Sequence, residues 1–239
     1  MGKPDVINAG QMGDVLGLLV HDFRNPAATI TANADFLQEV GFVDTDSVEA
    51  LQDVKLAVGE LRRGLDMLAW ISHWFTGRVP LEAANGDVGV FLERLERADT
   101  PVPVTVEIAE GDQLYAQGAQ VAVEVVELLL HNTRAHVADP HATVRLYQQS
   151  GRVVIEVQDA GEAIAPELRQ LAFTLEGQNA LKGRVDGRYS RFAGLFAAAV
   201  VLDGVGGTIE ADGERGAAVF RVFLPQARPT RPPTRPPSR

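Results

Sequence analysis

Apolar residues near the start of the chain recur in alternating steps of three and four, which is the spacing of one face of an α-helix. The first run consists of Leu16, Leu19, Phe23, Pro26, Ile30, Leu37 and Val40. A second run with the same spacing consists of Leu51, Val54, Val58, Leu61, Leu65 and Leu68 and extends to Phe75. Gly41 and the helix-capping residue types at 44–47 separate the two runs. The pattern predicts a helical hairpin within residues 1–80.

Two helices of this length cannot each bury an apolar seam against one partner and leave a stable monomer. We therefore expect two hairpins to associate as a four-helix bundle, which makes the protein a homodimer. The alternative is that the hairpin packs on the C-terminal part of its own chain. Trp70, His73 and Trp74, near the end of the second helix, are interpreted as that packing surface or as a docking surface for another protein.

Beyond residue 80 the pattern changes to a mixture of strands and largely apolar helices. Predicted helices cover residues 88–98, 119–137, 166–173 and 192–203. Predicted strands cover residues 102–108, 143–149, 152–159, 208–211 and 217–224. Helices on one side of a mixed sheet form a two-layer α/β sandwich, here residues 81–225, so the whole chain is predicted to have an α+β fold.

Two segments lack such a pattern. Residues 177–191 are rich in glycine and basic residues and are predicted to form a mobile loop. Residues 226–239 are dominated by proline and arginine, so we expect a disordered, extended tail.

Composition narrows the classes of function. The formal net charge of -10 opposes binding to nucleic acid or to an anionic membrane. The chain has no cysteine, which excludes disulfides and cysteine nucleophiles and fits a cytoplasmic location. The longest apolar stretch, residues 192–205, contains Asp203 and is too short to cross a membrane.

His131, His136 and His141 are spaced by five, which does not align them on one helical face, so no metal site is predicted.

The first helix carries the segment LLVHDFRNPAATI. His21 lies between the seam residues Leu19 and Phe23, off the apolar face, so we expect its imidazole to be exposed to solvent. Asp22 can hold the imidazole in one tautomer and accept its proton, as attack on a phosphorus centre requires. Asn25 is one helical turn further on and shares the face of His21. The alternative is an ordinary surface histidine.

The string His-Asp-Phe-Arg-Asn-Pro, residues 21–26, resembles the phosphoacceptor box of the two-component histidine kinases. Its place in the first of two amphipathic helices, ahead of an α/β domain, is also that of the family. The resemblance implies that His21 is phosphorylated and that Asp22 is its acid/base partner. It also implies that Asn25 is the position used when such proteins dephosphorylate a partner aspartate, and that the C-terminal fold is of the histidine kinase and Hsp90 ATPase kind.

The segment ELLLHNTRAHV resembles the asparagine box of the family's ATP-binding domain. Glu127 stands where the ATPases carry an acid, and His131 stands where a magnesium-binding asparagine is expected. Magnesium prefers oxygen ligands, and imidazole is a poor substitute. The neighbouring Asn132 is rotated by about 100° around the helix, so it could replace the asparagine only if the helix register shifted.

The segment DAGEAI resembles the first glycine box. It retains Asp159, which in the family binds the adenine amino group, and Gly161, but has Ala163 in place of a glycine. The segment RFAGLFAAAVVLDGVGG resembles the second glycine box, with Gly194 retained and Phe192 in place of a glycine. The adenine half of the pocket is thus partly kept and the phosphate half is largely lost. No cofactor is firmly predicted, and ATP with Mg²⁺ is expected only if the pocket works.

Basic residues in the predicted loop provide either charge for a phosphate or a solvated surface; they are Lys182, Arg184, Arg188 and Arg191. We interpret the chain as a phosphotransfer protein that carries a phosphoryl group on His21 to or from a response-regulator aspartate, with ATP binding weakened or lost. The expected partners are a receiver domain and a second histidine kinase. Two alternatives remain: an autokinase that uses ATP, and a non-catalytic dimeric scaffold that binds a response regulator.

Overall fold

The structure is a computed structural model that describes residues 9–41, 45–78, 85–97, 100–110, 114–181, 194–214 and 216–228. Two long antiparallel helices, α1 (Ala9–Val40) and α2 (Thr45–Phe75), form the predicted hairpin. Gly41 follows α1 with a φ of 82°, a left-handed conformation that glycine adopts without steric cost and that ends a helix. The predicted hairpin is therefore confirmed.

The inside of the hairpin is lined mainly by small side chains. On α1, Gly13, Val20, Ala27 and Ala34 are buried at intervals of seven residues, and they face Leu51, Val58, Leu65 and Ser72, which repeat at the same interval on α2. Ser72 Oγ donates a hydrogen bond to Gly13 O at 2.7 Å. A Cβ atom on Gly13 would lie 2.9 Å from Cβ of Phe75, so glycine is what allows this close approach of the two helices.

The larger apolar side chains of the predicted seam on α1, and part of those on α2, lie outside the hairpin. Phe23, Ile30 and Leu37 of α1 and Val54 and Leu61 of α2 are exposed, and we call these five residues the outward apolar strip. The single seam expected from the sequence is thus divided between two faces. The physical reason is that the helices approach each other along the small residues, which leaves the bulky ones on the adjacent face.

The C-terminal part is a two-layer sandwich. Its five-stranded mixed sheet has the order β2-β4-β5-β7-β6. The strands are β2 (Val104–Ile108), β4 (Ala142–Gln149), β5 (Arg152–Asp159), β6 (Thr208–Glu214) and β7 (Ala217–Pro225). Only the β2–β4 pair is parallel among these neighbours. Two short strands, β1 (Gly86–Asp87) and β3 (Tyr115–Ala116), form a separate antiparallel pair.

Helices cover one face of the large sheet. They are α3 (Val88–Arg97), α4 (Ala119–His136), α5 (Leu175–Leu181) and α6 (Gly194–Asp203). Along β5, Val153, Ile155 and Val157 are buried in the core with α4 and α6, whereas Glu156 and Gln158 point to the other face. The turn between β4 and β5 uses positive φ at Ser150 and Gly151, as a tight hairpin requires. The predicted α/β sandwich is confirmed.

Several local predictions differ from the structure. Residues 166–173 form two short 3₁₀ turns, Pro166–Leu168 and Leu171–Phe173, instead of one helix. The start of the predicted mobile loop is helix α5, where Gly177 packs so closely on the Leu171 carbonyl that a Cβ would overlap its oxygen. Residues 182–193, with Lys182, Arg184, Arg188, Arg191 and Phe192, lie outside the described residues.

The prediction of a disordered tail is wrong for its first two residues, Gln226 and Ala227. Gln226 forms an isolated antiparallel bridge with Ala116, and the Ala227 amide donates to Tyr115 O at 2.8 Å. These bonds extend the ordered chain beyond β7. Residues 229–239 lie outside the described residues.

The hairpin and the sandwich share one hydrophobic core. Met67, Trp70, Ile71 and Phe75, all in the last three turns of α2, belong to the same cluster as the sheet and its helices. Trp74 meets Phe196 of α6 edge to face, with ring centroids 6.3 Å apart. The packing role predicted for Trp70 and Trp74 is confirmed, and the end of α2 does pack on the chain's own C-terminal part.

None of the helices in the described ranges is both long enough and apolar enough to cross a bilayer.

Candidate phosphoacceptor helix and nucleotide site

The segment that contains His21 lies within α1, which is helical from Ala9 to Val40 without interruption. The side chains of His21 and Asp22 lie outside the described residues, so the predicted exposure of the imidazole stays a prediction. Asn25, one turn further on, is exposed as expected. Its backbone carbonyl accepts a hydrogen bond from Thr29 Oγ1 at 3.1 Å.

An ion pair ties this segment to the second helix. Arg24 Nη2 donates to Oδ1 of Asp66 at 2.6 Å, and both side chains are about half exposed. Such an exposed pair contributes little stability. It joins α2 to the segment that carries His21 and Asn25. Sequence reasoning missed Asp66 because its partner is 42 residues away in the chain.

Asp159, the residue that the resemblance assigns to adenine, is held by hydrogen bonds at the end of β5. Asp159 ends β5 and is buried, with only 8% of its surface exposed. Its Oδ1 accepts a hydrogen bond from the Gly161 amide at 2.8 Å, and its Oδ2 accepts one from Thr133 Oγ1 at 2.7 Å. The two bonds orient the carboxylate. Thr133, on α4, is a residue that sequence reasoning missed, although it lies inside the segment that resembles the asparagine box.

The other predicted residues of this segment line one side of α4. Glu127 is exposed, while His131 and Asn132 are half-buried. Desolvation by the surrounding protein raises the pKa of Glu127. Burial, assisted by the positive charges of Arg63 and Arg134, lowers the pKa of His131 to about 4. The imidazole is therefore neutral at pH 7.

Gly194 is the first residue of α6 and lies where three helices meet. It is buried, and a Cβ atom there would be 3.3 Å from Met67 Sδ of α2 and 3.7 Å from Leu128 Cδ1 of α4. We call Met67, Leu128 and Gly194 the helix junction. The retained glycine of the second box is thus packed against the hairpin.

Comparison with known proteins agrees with this geometry. Residues 118–228 match the family of histidine kinase-, DNA gyrase B- and HSP90-like ATPases. The C4-dicarboxylate transport sensor protein DctB of Rhizobium meliloti (strain 1021) is 26% identical over 238 residues, which cover 94% of this chain. The ATPase-family match and the similarity to DctB support membership in the two-component sensor histidine kinases.

Solved histidine kinase structures share the fold. Full-length ShkA, crystallised in complex with AMPPNP, superposes with a TM-score of 0.62 at 18% identity over 89% of this chain. The Acinetobacter baumannii histidine kinase AdeS superposes with a TM-score of 0.54 at 15% identity, covering 87% of this chain and 98% of the AdeS chain. This chain spans 37% of the length of DctB and 45% of ShkA.

Histidine kinase ATPase domains imply a magnesium ion, and the residues at this position do not fit one. Mg²⁺ requires several oxygen ligands in octahedral geometry. His131 offers a neutral nitrogen instead, and two arginines lie close enough to act on its charge. Among the described residues, no group of three His, Asp or Glu side chains could hold a metal ion. Because α4 is continuous from Ala119 to His136, there is no register shift that would bring Asn132 into the place of His131.

Proposed function

We propose that this histidine kinase family member is a phosphotransfer protein that carries a phosphoryl group on His21 to or from a response-regulator aspartate. An aspartyl phosphate is already an activated donor, so transfer needs positioning and no ATP at this chain. A ring nitrogen of His21 forms the new bond to phosphorus, and the bond from phosphorus to the aspartate oxygen breaks. The aspartate leaves as a carboxylate, and Asp22 holds the proton on the other ring nitrogen.

The observation that carries the proposal is the contrast between the two halves of the chain. The phosphoacceptor segment is complete in sequence and lies in an unbroken helix, with Asn25 exposed one turn after His21. His131 stands where the resemblance expects a magnesium-binding asparagine, and burial together with the charges of Arg63 and Arg134 keeps its imidazole neutral at pH 7. A receiver domain of a response regulator is the proposed partner, and a second histidine kinase is the proposed source of the phosphoryl group.

The test is to incubate the full chain with a panel of receiver domains carrying ³²P-labelled aspartyl phosphate. We expect label to move to the wild-type chain and to be absent from His21→Ala. His136→Ala, which removes an exposed histidine of α4, is the matched control and should keep the label. Failure of every receiver domain to label the wild type would contradict the proposal.

The second candidate function is autophosphorylation from ATP. The hydrogen bonds that hold the Asp159 carboxylate favour it, because the resemblance assigns this carboxylate to the adenine amino group. Incubation with [γ-³²P]ATP and Mg²⁺ separates the two functions. We expect no label on the wild type in this experiment. Label that disappears in His21→Ala would instead establish an autokinase, and a chain that accepts label from neither donor but retains a receiver domain would be a scaffold.

A further inference from the structure

We propose that the large sheet carries a binding site for an aromatic carboxylate on its outer face, by which we mean the face opposite to the described helices. A pocket of about 540 Å³ opens there, where the ends of β4 and β7 lie beside the start of β5. Its volume is in the range of sites that bind small organic molecules. Binding there does not depend on phosphotransfer through His21. We call it the outer pocket, and its aromatic and charged lining residues are Tyr147, Arg152, Glu210, Arg221 and Phe223.

The apolar part of the outer pocket consists of two aromatic rings. Tyr147 and Phe223 are both directly paired with Val154, so the three side chains lie on the same face of the sheet. Val154 is fully buried without belonging to the hydrophobic core on the helix side, so its neighbours on the outer face cover it. Both rings are themselves only half-buried. The exposed ring surface favours an aromatic ligand, because paired aromatic rings gain energy beyond the burial of their area.

The charge of the outer pocket comes from Arg152. Its Nη1 donates to Thr208 Oγ1 at 3.3 Å and its Nη2 donates to Gly206 O at 3.1 Å. The central carbon of the guanidinium lies 5.8 Å from the centre of the Phe223 ring, which is a cation–π contact. All three partners are uncharged, so they hold the guanidinium in place without neutralising it. Its remaining N–H donors are available to a ligand.

Arg152 differs in this respect from the other arginine of the outer pocket. Arg221 donates to Glu156 at 2.7 Å and to Asp212 at 2.9 Å, so its charge is balanced within the sheet. Among the described residues, no carboxylate forms an ion pair with Arg152. A guanidinium binds one carboxylate through two parallel hydrogen bonds, which matches this single unbalanced charge.

Glu210 limits the charge that the ligand can carry. It is exposed on β6, directly paired with Arg221, and it lines the outer pocket together with Arg152. Its negative charge opposes a second negative group on a ligand whose first is bound to Arg152. We therefore expect a monoanion with an aromatic body to be preferred over a phosphate ester with the same body.

Calorimetric titration of the full chain with 2-naphthoate tests the site, and 2-naphthamide is the matched neutral ligand. We expect the carboxylate to bind at least about tenfold more tightly than the amide, because only the carboxylate pairs with Arg152. 2-Naphthyl phosphate, with its additional charge, should bind more weakly than 2-naphthoate. Similar affinities for the acid and the amide, tighter binding of the phosphate, or no binding of 2-naphthoate at millimolar concentration would overturn the proposal.

Variants assign the contacts, with circular dichroism to verify folding. Arg152→Gln should weaken 2-naphthoate by about tenfold or more and leave 2-naphthamide unchanged, whereas a loss of folded protein would affect both ligands. Arg152→Lys should lose less, because it keeps the charge without the planar donors. Arg62→Gln, which removes an exposed arginine of α2, is the control and should change neither ligand.

The aromatic contact has its own variant. Phe223→Leu should weaken both ligands, since it removes the ring that both use and keeps an apolar side chain in the strand. An equal loss of both ligands in Arg152→Gln would contradict the assignment of the carboxylate to Arg152. Unchanged binding of both ligands in Phe223→Leu would show that they bind elsewhere.

Discussion

Asp159 and His131 lie in the candidate nucleotide site, and their surroundings differ. Asp159 accepts hydrogen bonds from Thr133 Oγ1 and from the Gly161 amide. Burial of His131, together with the positive charges of Arg63 and Arg134, lowers the pKa of its imidazole to about 4. The surroundings of His131 therefore oppose a positive charge on its ring.

The low pKa of His131 makes stability depend on pH. An unfolded chain binds a proton at this histidine below its ordinary pKa of 6.5, whereas the folded chain does so only near pH 4. The folded state therefore loses stability as the pH falls from 6.5 towards 4. In His131→Gln, the loss between pH 7.5 and 4.5 should be smaller by on the order of 2 kcal/mol.

Urea unfolding followed by tryptophan fluorescence at the two pH values measures this difference. The carboxylates contribute equally to wild type and variant, so the comparison isolates His131. His141→Gln removes an exposed histidine and is the control, which should retain the wild-type pH dependence. Equal pH dependence in His131→Gln and wild type would show that the imidazole is not held in its neutral form by the fold.

Individual site residues could be predicted where a short segment carries them, and could not where the partner is remote. Asp159 and Gly161 are two positions apart in the segment that resembles the first glycine box, and the Gly161 amide donates a hydrogen bond to Asp159. Thr133 bonds Asp159 across 26 residues of sequence, and Arg63 reaches the site from the hairpin. Their positions depend on how α2 and α4 pack against β5, which spacing along the chain does not encode.

At the scale of the elements, charged side chains line the face of the large sheet opposite to the described helices. Glu107, Arg145, Glu156 and Arg221 occupy directly paired positions on β2, β4, β5 and β7. Their charges alternate, and their hydrogen bonds are 2.7–3.1 Å long. Arg221 also bonds Asp212 of β6 at 2.9 Å, and the bonds from Asp212 and Glu156 raise its pKa. The face thus gains cross-strand contacts without a helix layer.

Glu156 is the central residue of this row. It accepts hydrogen bonds from both Arg145 and Arg221, and only 12% of its side chain is exposed. Glu156→Gln should lower the free energy of unfolding by about 1–2 kcal/mol, because it weakens two charge-assisted hydrogen bonds. The measurement is urea denaturation at neutral pH.

The matched control is Glu107→Gln at the sheet edge, where the carboxylate is 53% exposed and pairs only with Arg145. We expect it to change stability by less than about 0.5 kcal/mol. Similar effects for both variants would mean that the position within the row is unimportant.

Element prediction succeeded where periodicity was strong. The strands found at Ala142–Gln149 and Arg152–Asp159 differ from expectation by at most one residue, since their alternation and turn are local signals. Helix α5 was missed because it is short and runs directly into the glycine-rich, basic stretch that follows it, and because Gly177, which packs against Leu171, has low helix propensity. The small residues inside the hairpin were also missed, because a spacing of seven in Gly and Ala carries no apolar signal.

At the scale of the whole molecule, one face of the hairpin is covered by the sandwich and another is exposed. The end of α2 is covered by the sandwich through Met67, Trp70 and Ile71. The outward apolar strip is uncovered, and its Phe23, Ile30 and Leu61 are between 42% and 52% exposed. An apolar strip at heptad spacing along two antiparallel helices is what a second hairpin would cover in a four-helix bundle. Dimerisation therefore remains our prediction, and it is compatible with the packing of α2 on its own sandwich.

Charged residues placed in the outward apolar strip test whether this strip forms the contact between two copies. In a dimer, Ile30→Glu combined with Leu61→Glu would bury four carboxylates per pair of chains, so we expect the variant to be monomeric when the wild type is dimeric. Light scattering coupled to size exclusion measures the mass. Leu56→Glu is the control, because Leu56 is 56% exposed but lies outside the strip, and it should leave the dimer intact. A monomeric wild type, or a dimer that survives both substitutions, would show that this strip is not the contact between two copies.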